Sequence, residues 1–599
     1  MSSTVRTPHK GRERTGTRPL FEAVERWAVQ MPGATAVSAP DGTFSFAELI
    51  AWTRTLAGAL SAQDVGPGTP VGLSLGRSRF SVPGLLAVWL LGATAVPLDD
   101  RHPAERLSFV LRDSGARVLL GDRLPAGAAP NRARRITPGA LAPEAVPGDP
   151  VLPDAPHPEE CAYIIYTSGT TGWPKGVEVT YRSLGVFLSA LAELRLSPGG
   201  MGINAVSPAF DGWLWCTLLY LLHGQGVEII DLEAEDETSP DLAARVAAAA
   251  PRTVCLTPSL LSACADDITT AEVLVVAGEP FPRGLAERLG DRRRLLNVYG
   301  PTEATIAATW ADSERGDDVL TIGAALPGYA VYILDEDQRP VPDGTAGELC
   351  VGGPAVARGY RSRPGLTAER FVPDPYAPPG ARMYRTGDLA RLRPDGRIDY
   401  LGRRDEQVKV RGFRIELREV EEVAEACAGV AAAAAFVTVD QDVLGLAVVA
   451  AAGTENEACV AEVRERCARQ LPDVMVPAVV DVVDALPTSP AGKVDRAALA
   501  EAAGSAAASP GRPPGTARER QVCEVWSTLL PRPVTDVDAD FFELGGHSLL
   551  AARAVAALRK ATGLRLTVRH MLANPTVADL AREVDRLAEE AGRPEAGAD

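Results

Sequence analysis

No two of the nine cysteines stand in a C-x-x-C arrangement. Scattered from Cys161 to Cys523, they suggest neither a zinc site nor a redox motif, and buried, reduced thiols are the plainer reading. Histidine is scarce, with six in 599 residues and none beside another. Basic charge is in deficit: 61 Lys and Arg face 78 Asp and Glu, a net charge of −17. That excludes a protein that coats nucleic acid, which needs a basic face. It does not exclude one small nucleotide held in a pocket. Long apolar runs are missing too. The most apolar stretch, residues 85–96 between Pro83 and Pro97, is too short to cross a bilayer, so no membrane partner is expected. The first 20 residues are polar and basic with no apolar h-region. They are therefore expected to be a disordered arm rather than a signal peptide, and the chain to be cytoplasmic.

What is present is enough apolar residue, 46%, for several sizeable cores. Residues 21–120 alternate helical patterns with short apolar runs such as TAVPL and ARVLL, the texture of βα units. A Pro/Ala-rich passage at 124–160 reads as a surface connection, and α/β texture resumes with apolar runs at 227–230, 253–256 and 273–277. After Gly402 the pattern changes. QVKVRGFRIEL (407–417) alternates like a strand and REVEEVAEAC continues as a helix, so a small α+β unit is expected from 403 to 503. The small residues, Gly and Pro of 504–516 make a flexible linker. Residues 517–590 read as helices, and 591–599 as a tail. Val522, Val525, Trp526 and Leu529 share one face, as do Val577, Leu580, Ala581, Val584 and Leu587 behind a Thr576-x-x-Asp579 capping pattern. Between them Ser548 opens an apolar helix, which completes a small helical bundle.

YTSGTTGWPKG (166–176) sets three glycines, three threonines and a serine around one lysine. Gly169, Gly172 and Gly176 let the backbone approach a ligand closely, while successive N–H groups and hydroxyls form an anion cradle. Lys175 adds a mobile cation. The set suits the phosphates of a nucleoside triphosphate. It is not a Walker A loop, because Trp173 and Pro174 separate the glycine from the lysine. The bland alternative is a surface turn that binds nothing.

Further motifs follow in order: NVYGPTEATI (297–306), GELCVGGPAVARGY (347–360), YRTGDLARLRPDG (384–396), GRRDEQVKVRGFRIEL (402–417) and PTSPAGKVDR (487–496). With the phosphate loop they resemble the motif series of adenylate-forming enzymes, most closely the adenylation domains of nonribosomal peptide synthetases. LGGHSL resembles the peptidyl carrier domains of the same systems. The resemblance covers about residues 20–590. It implies a large N-terminal α/β adenylation core (21–402), a small mobile α+β subdomain (403–503) and an all-α four-helix carrier bundle (517–590).

Roles follow from the resemblance. Thr167, Ser168, Gly169, Thr170, Thr171 and Lys175 would hold the ATP phosphates. Asn297, Tyr299, Gly300 and Thr302 belong to the adenine motif, with Tyr299 stacking on the base. Glu303 would coordinate Mg²⁺, and Asp388, with Arg403 beside it, would receive the ribose hydroxyls. Lys493 would be the catalytic lysine that bridges substrate carboxylate and α-phosphate. The small subdomain is expected to swing about Asp405 between the two half-reactions. Taken singly, each has a duller reading: a cap carboxylate, a turn residue, a surface ion pair, an exposed lysine. Ser548, at a helix start after Gly545 and Gly546, would carry 4′-phosphopantetheine; alone it reads as a helix N-cap.

PAFDGWLW (208–215) places Asp211 where the family holds the α-ammonium of an amino acid. A buried carboxylate needs a cationic partner, and an ammonium supplies one. Phe210 matches the aromatic gate, while Trp213 stands where the family usually has Ser. By motif position the pocket would be lined by Asp211, Gly212, Trp215, Leu256, Val275, Ala277, Val298, Ile306, Ala307 and Lys493. Apart from the two end-binding charges that wall is uncharged, so a large hydrophobic or aromatic L-amino acid is expected. Arg418 replaces the family's Gly after R-I-E-L, and Ala491 its Asn before Gly-Lys.

Three rival readings stand beside this one. G-x-S-x-G around Ser74 is a hydrolase elbow pattern, though a hydrolase leaves the later motifs unexplained. An acyl- or aryl-CoA-ligase-like enzyme would load a non-amino acid onto the carrier, against which Asp211 argues. A non-catalytic docking module would not need Lys175, Glu303, Asp388 and Lys493 together. The absence of adjacent histidines excludes the condensation motif H-H-x-x-x-D-G. The expected partners are a phosphopantetheinyl transferase and a condensation or tailoring enzyme acting in trans; a small MbtH-type activator is left open.

Overall fold

The computed structural model describes residues 4–6, 17–130, 133–142, 156–169, 172–231, 242–290, 293–405, 407–410, 412–438, 443–488, 494–506, 511–530, 533–541, 544, 546, 548–564 and 566–591. The chain divides into two compact units. The first holds residues 1–230, 246–416 and 469–472, and the second 231–245, 417–468 and 473–599.

In the first unit, the apolar runs read from the sequence become adjacent strands. Thr253–Leu256, Val273–Ala277 and Arg294–Tyr299 pair in parallel in the middle of a nine-stranded sheet, with Met201–Asn204 on their other side. A seven-stranded sheet contains Pro70–Leu73, Thr94–Pro97 and Cys161–Thr167. Strands buried on both faces read as continuous hydrophobic runs, which is why periodicity alone could not separate them from buried helices. One apolar core joins the two sheets through helices Ser81–Leu90, Tyr181–Ala192 and Asp211–Leu222, each buried along most of its length. The apolar stretch at 85–96 is thus a core helix running into a core strand. Among the described residues no helix is long and apolar enough to cross a membrane. None of the nine cysteines forms a disulfide, and all are buried.

Three sequence expectations are corrected here. The arm expected over residues 1–20 is not free along its length: Thr4–Arg6 pairs antiparallel with Ala330–Leu334, and Arg18–Gln30 is helical. QVKVRGFRIEL is not one strand but a hairpin, Gln407–Val410 against Phe413–Glu416. Gly412 takes φ +80° at its turn, a conformation open to glycine without strain. The hairpin belongs to the first unit, so the boundary expected at 403 falls at 417.

In the second unit, helix Leu417–Glu425 precedes a three-stranded sheet of Val430–Val437, Leu444–Ala450 and Val479–Val482. Glu421, 5% exposed, receives Arg496 at 2.7 Å and the amide of Ala435 at 3.0 Å. Arg418 spends its guanidinium on Glu421, Glu422 and Glu425 of its own helix. Helices Ala517–Leu529, Ser548–Thr562, Val568–Ala573 and Val577–Ala591 enclose a core of Val522, Trp526, Phe541, Leu558 and Leu580, the four helices that the resemblance implies. Thr576 caps the last of them: its hydroxyl accepts from Asp579 N at 3.1 Å and donates to the Asp579 carboxylate at 2.7 Å.

Candidate active site

The phosphate loop joins two paired strands, Cys161–Thr167 and Lys175–Thr180, whose register sets Thr167 opposite Lys175 and Tyr166 opposite Gly176. Gly169 is required by close approach: a Cβ there would lie 2.1 Å from the carbonyl oxygen of Trp173. The Trp173 ring stacks on Phe109 at 4.8 Å and pins the far arm of the loop. The Thr167 hydroxyl is buried with no hydrogen-bond partner among the described residues, and a phosphate oxygen would satisfy it. Thr170 and Thr171 lie outside the described residues.

Glu303 is fully buried, accepting from Tyr360 OH at 2.8 Å and from Arg414 Nη1 at 3.0 Å. Burial works to raise its pKa, but Arg414, then Lys175 and Tyr360, outweigh that and bring it down to about 2. An ionised carboxylate held this firmly fits a hard divalent cation such as Mg²⁺. Lys175, 8% exposed, lies 3.2 Å from Glu416 Oε1 and over the Tyr360 ring. Burial pushes its ammonium pKa down, against the pull of Glu303 and Glu416.

The ribose and adenine residues also converge. Tyr299 OH donates to Asp388 Oδ2, and Asp388 Oδ1 accepts from Arg403 Nη1 at 2.7 Å. Arg403 reaches Asp405 as well, at 2.6 and 2.8 Å. The other members of the adenine motif have structural duties. Asn297 donates its amide to the carbonyls of Val319 and Thr321, both at 2.9 Å. Gly300 is where the chain folds onto itself, since a Cβ would lie 2.4 Å from Ala307 Cα. Thr305 and Ile306 take φ +57° and +73°. That is strained backbone for β-branched residues, and the Thr305 hydroxyl secures it by donating to Ala355 O at 2.6 Å.

Sequence reasoning missed the hairpin's part. Its side chains engage the groups that the resemblance assigns to MgATP: Arg414 pairs with Glu303, Glu416 with Lys175, and Lys409 Nζ lies 5.6 Å from the Tyr299 ring centroid. Ser168 Oγ donates to Arg414 O at 2.9 Å and accepts from Glu416 N at 3.2 Å. Phe413 meets the gate residue Phe210 edge-on at 4.8 Å. The motif RGFRIEL was legible, but nothing in its spacing says which groups its charges meet.

Asp211 opens the helix Asp211–Leu222 and is half-buried. Burial raises its carboxyl pKa to about 6; Thr302 and the Gly212 amide hold it down, and the charge of Glu303 pushes it up. Of the expected pocket wall, Trp215, Val275, Val298, Ile306 and Ala307 are buried, Gly212 is half-buried, and Ala277 is exposed at its strand's end. Leu256 is a correction. It pairs with Val276, whereas Cys255 pairs with Val275, and Ala277 with Val298. Side chains alternate along a strand, so Cys255, not Leu256, shares the face of Val275 and Ala277. The Cys255 thiol meets Cys216, the residue after Trp215.

Lys493 lies outside the described residues. Ser548 begins the helix Ser548–Thr562 as expected. Gly546 before it is obligatory, because a Cβ would lie 2.2 Å from the buried Phe541 ring.

Comparison with known proteins agrees with this geometry. Residues 24–361 match the AMP-binding enzyme family, 419–493 the AMP-binding enzyme C-terminal domain, and 520–584 the phosphopantetheine attachment site. The chain is 40% identical over 583 residues to phosphinothricin tripeptide synthetase PhsC of Streptomyces viridochromogenes, across 95% of this chain and 53% of that protein. It is 38% identical over 582 residues to novobiocin biosynthesis protein H of Streptomyces niveus, across 95% of this chain and 96% of that one. The chain thus spans about half of PhsC, and 7% of one of the linear gramicidin synthase proteins of Brevibacillus parabrevis. Among solved structures it resembles holo-PA1221, a nonribosomal peptide synthetase protein containing adenylation and carrier domains bound to a vinylsulfonamide inhibitor, with a TM-score of 0.78, 26% identity and 98% of both chains covered. The chain belongs to the AMP-binding, adenylate-forming enzymes, as an adenylation domain fused to a phosphopantetheine-bearing carrier domain.

Proposed function

We propose that the chain activates an L-amino acid with a large hydrophobic or aromatic side chain as its adenylate, then passes the acyl group as a thioester to its own carrier domain. The observation that carries the amino-acid reading is Asp211. It sits at the start of an apolar helix, and the neighbouring charge that most affects it is another carboxylate, Glu303. A substrate ammonium would supply the missing cation.

In the first half-reaction a substrate carboxylate oxygen bonds to the α-phosphorus of ATP. The bond to the bridging oxygen breaks, and pyrophosphate leaves with the electron pair. Lys175, Ser168 and Thr167 would bind the departing phosphates, and Lys493 would stabilise the charge gathering between the two anions. Glu303 would hold Mg²⁺, which offsets phosphate charge. Binding MgATP requires the ion pairs of Lys175 with Glu416 and of Glu303 with Arg414 to be exchanged for phosphate and metal. In the second half-reaction a thiol displaces AMP. Ser548 would carry the phosphopantetheine arm that supplies this thiol, and the passage at 504–516 would keep the arm at high local concentration. The partners are a phosphopantetheinyl transferase and a downstream condensation or tailoring enzyme.

The test is ATP–pyrophosphate exchange by the full chain across the proteinogenic amino acids. Exchange should peak with a large hydrophobic one. A peak with a charged amino acid, or with a carboxylic acid lacking the amine, overturns the reading. Treatment with a phosphopantetheinyl transferase should add one arm's mass to the native chain and none to Ser548→Ala.

A further inference from the structure

The helix that carries Asp211 begins without a capping hydrogen bond from its N-cap side chain. Its N-cap is Phe210, in extended conformation, which offers no hydrogen bond to the first turn. Ser, Thr, Asn or Asp normally does that work and fixes the entry angle. Here two groups outside the helix hold the turn. Asn204, fully buried at the end of the strand Met201–Asn204, donates its amide to Trp213 O at 3.0 Å and to Thr217 Oγ1 at 3.1 Å. The other group is Asp99.

Asp99 lies just past the strand Thr94–Pro97 of the seven-stranded sheet and is 3% exposed. Its Oδ2 accepts from Ser207 Oγ at 2.5 Å and lies 3.4 Å from Arg77 Nη1, while its Oδ1 accepts from Arg101 N at 3.1 Å. Ser207 Oγ in turn accepts from Ala209 N at 3.3 Å, and Ser207 O accepts from Phe210 N at 3.1 Å. The chain of bonds therefore runs from a buried anion at the end of one sheet into the turn that leaves the other. Two residues beyond Ala209 stands Asp211. Charge-assisted hydrogen bonds of this kind are short and about twice as strong as neutral ones, so the turn is held firmly at one point.

We infer that Asp99, acting through Ser207, is a positioning residue that sets where the Asp211 carboxylate meets the substrate ammonium. This deepens the amino-acid reading and rests on it. Asp99 is not among the residues assigned to the nucleotide or the acid. The phosphate loop follows the strand Cys161–Thr167, a neighbour of Thr94–Pro97, but the bonds through Ser207 run to the turn before Asp211, so the influence proposed falls on the amine end of the substrate. A misplaced carboxylate weakens recognition of the amine and spares the rest of the substrate.

The experiment uses the full chain and three variants, Asp99→Asn, Ser207→Ala and Ser207→Thr. The probe is the proteinogenic amino acid giving the fastest ATP–pyrophosphate exchange, measured against the same acid with its amine replaced by hydrogen. The readout is the ratio of kcat/KM for the pair, together with KM for ATP and the thermal midpoint of each variant. Asp99→Asn and Ser207→Ala should lower the preference for the amine about ten- to a hundred-fold, the scale of a catalytic or binding group displaced by up to an ångström. KM for ATP should change less than about two-fold, the residual expected of an untouched site. Ser207→Thr, which keeps the hydroxyl, should restore the preference. Equal losses for both acids, or for ATP as well, overturn the positioning role and leave Asp99 a structural residue. An unchanged ratio in Ser207→Ala overturns it also. If the native chain shows no preference for the amine, the reading of Asp211 itself fails, and this inference with it.

Discussion

Replacing Glu416 with Gln isolates what the hairpin does to the nucleotide site. Glu416 Oε1 accepts from Lys175 Nζ at 3.2 Å and from Gln407 Nε2 at 2.6 Å, and the side chains of Glu416 and Lys175 are 13% and 9% exposed. A glutamine carbonyl can accept both bonds, so the change removes charge and little else. Hydrogen bonds to charged groups contribute about 1.5–3 kcal/mol and neutral ones about 0.5–1.5 kcal/mol. The loss is therefore about 1–1.5 kcal/mol, a factor of about five to ten in an equilibrium constant. Apparent affinity is intrinsic affinity scaled by the fraction of molecules competent to bind. If the hairpin must yield its partners to MgATP, Glu416→Gln should bind MgATP up to about tenfold more tightly, by equilibrium titration of the full chain. Glu422→Gln is the control, since Glu422 pairs with Arg418 on its own helix. Unchanged or weaker binding in Glu416→Gln would refute the reasoning, because it would make Glu416 a bystander or a nucleotide ligand.

Other expectations follow from particular residues. The Asp211 pKa is raised to about 6, so its charged form is lost as pH falls through that value; KM for the amino acid should rise below pH 6 while KM for ATP rises less, as pH profiles of exchange would show. A pocket lined by Cys255 predicts that Cys255→Phe restricts the size of side chain accepted, whereas Leu256→Ala leaves the order of preferred amino acids intact and destabilises the chain by about 2–5 kcal/mol in denaturant titration, through lost core packing. Gly300→Ala places a Cβ 2.4 Å from Ala307 Cα and should destabilise the chain by about 1–3 kcal/mol in denaturant titration. Lys175→Ala removes the buried cation of the phosphate loop and should cost about a hundred-fold or more in exchange rate.

Much was legible before any coordinates. Ordered motifs identified the family, because each needs particular residue types at particular spacings: glycine where only a hydrogen fits, hydroxyls and a lysine for phosphate, a carboxylate for a hard cation. The apolar runs at 253–256 and 273–277 coincide with observed strands, since runs this short suit a buried strand better than a helix. The carrier helices were equally plain, because Val522 with Trp526 and Val577 with Leu580 repeat at the helical period.

Other features depend on distance in space, which a linear pattern does not carry. Asp99 and Ser207 are 108 residues apart, and no local signal joins them. Leu256 and Cys255 are adjacent in sequence and equally apolar, yet pleating sends them to opposite faces, so only the register of Val275 and Val276 separates wall from background. The hairpin at 407–416 reads as part of the small subdomain by texture, and its charges find Lys175 and Glu303 only once the chain has folded. Chemistry of residue type and spacing is local and survives in one dimension. The pairing of one charge with another is set by the tertiary structure, because burial alone decides which ions water no longer screens.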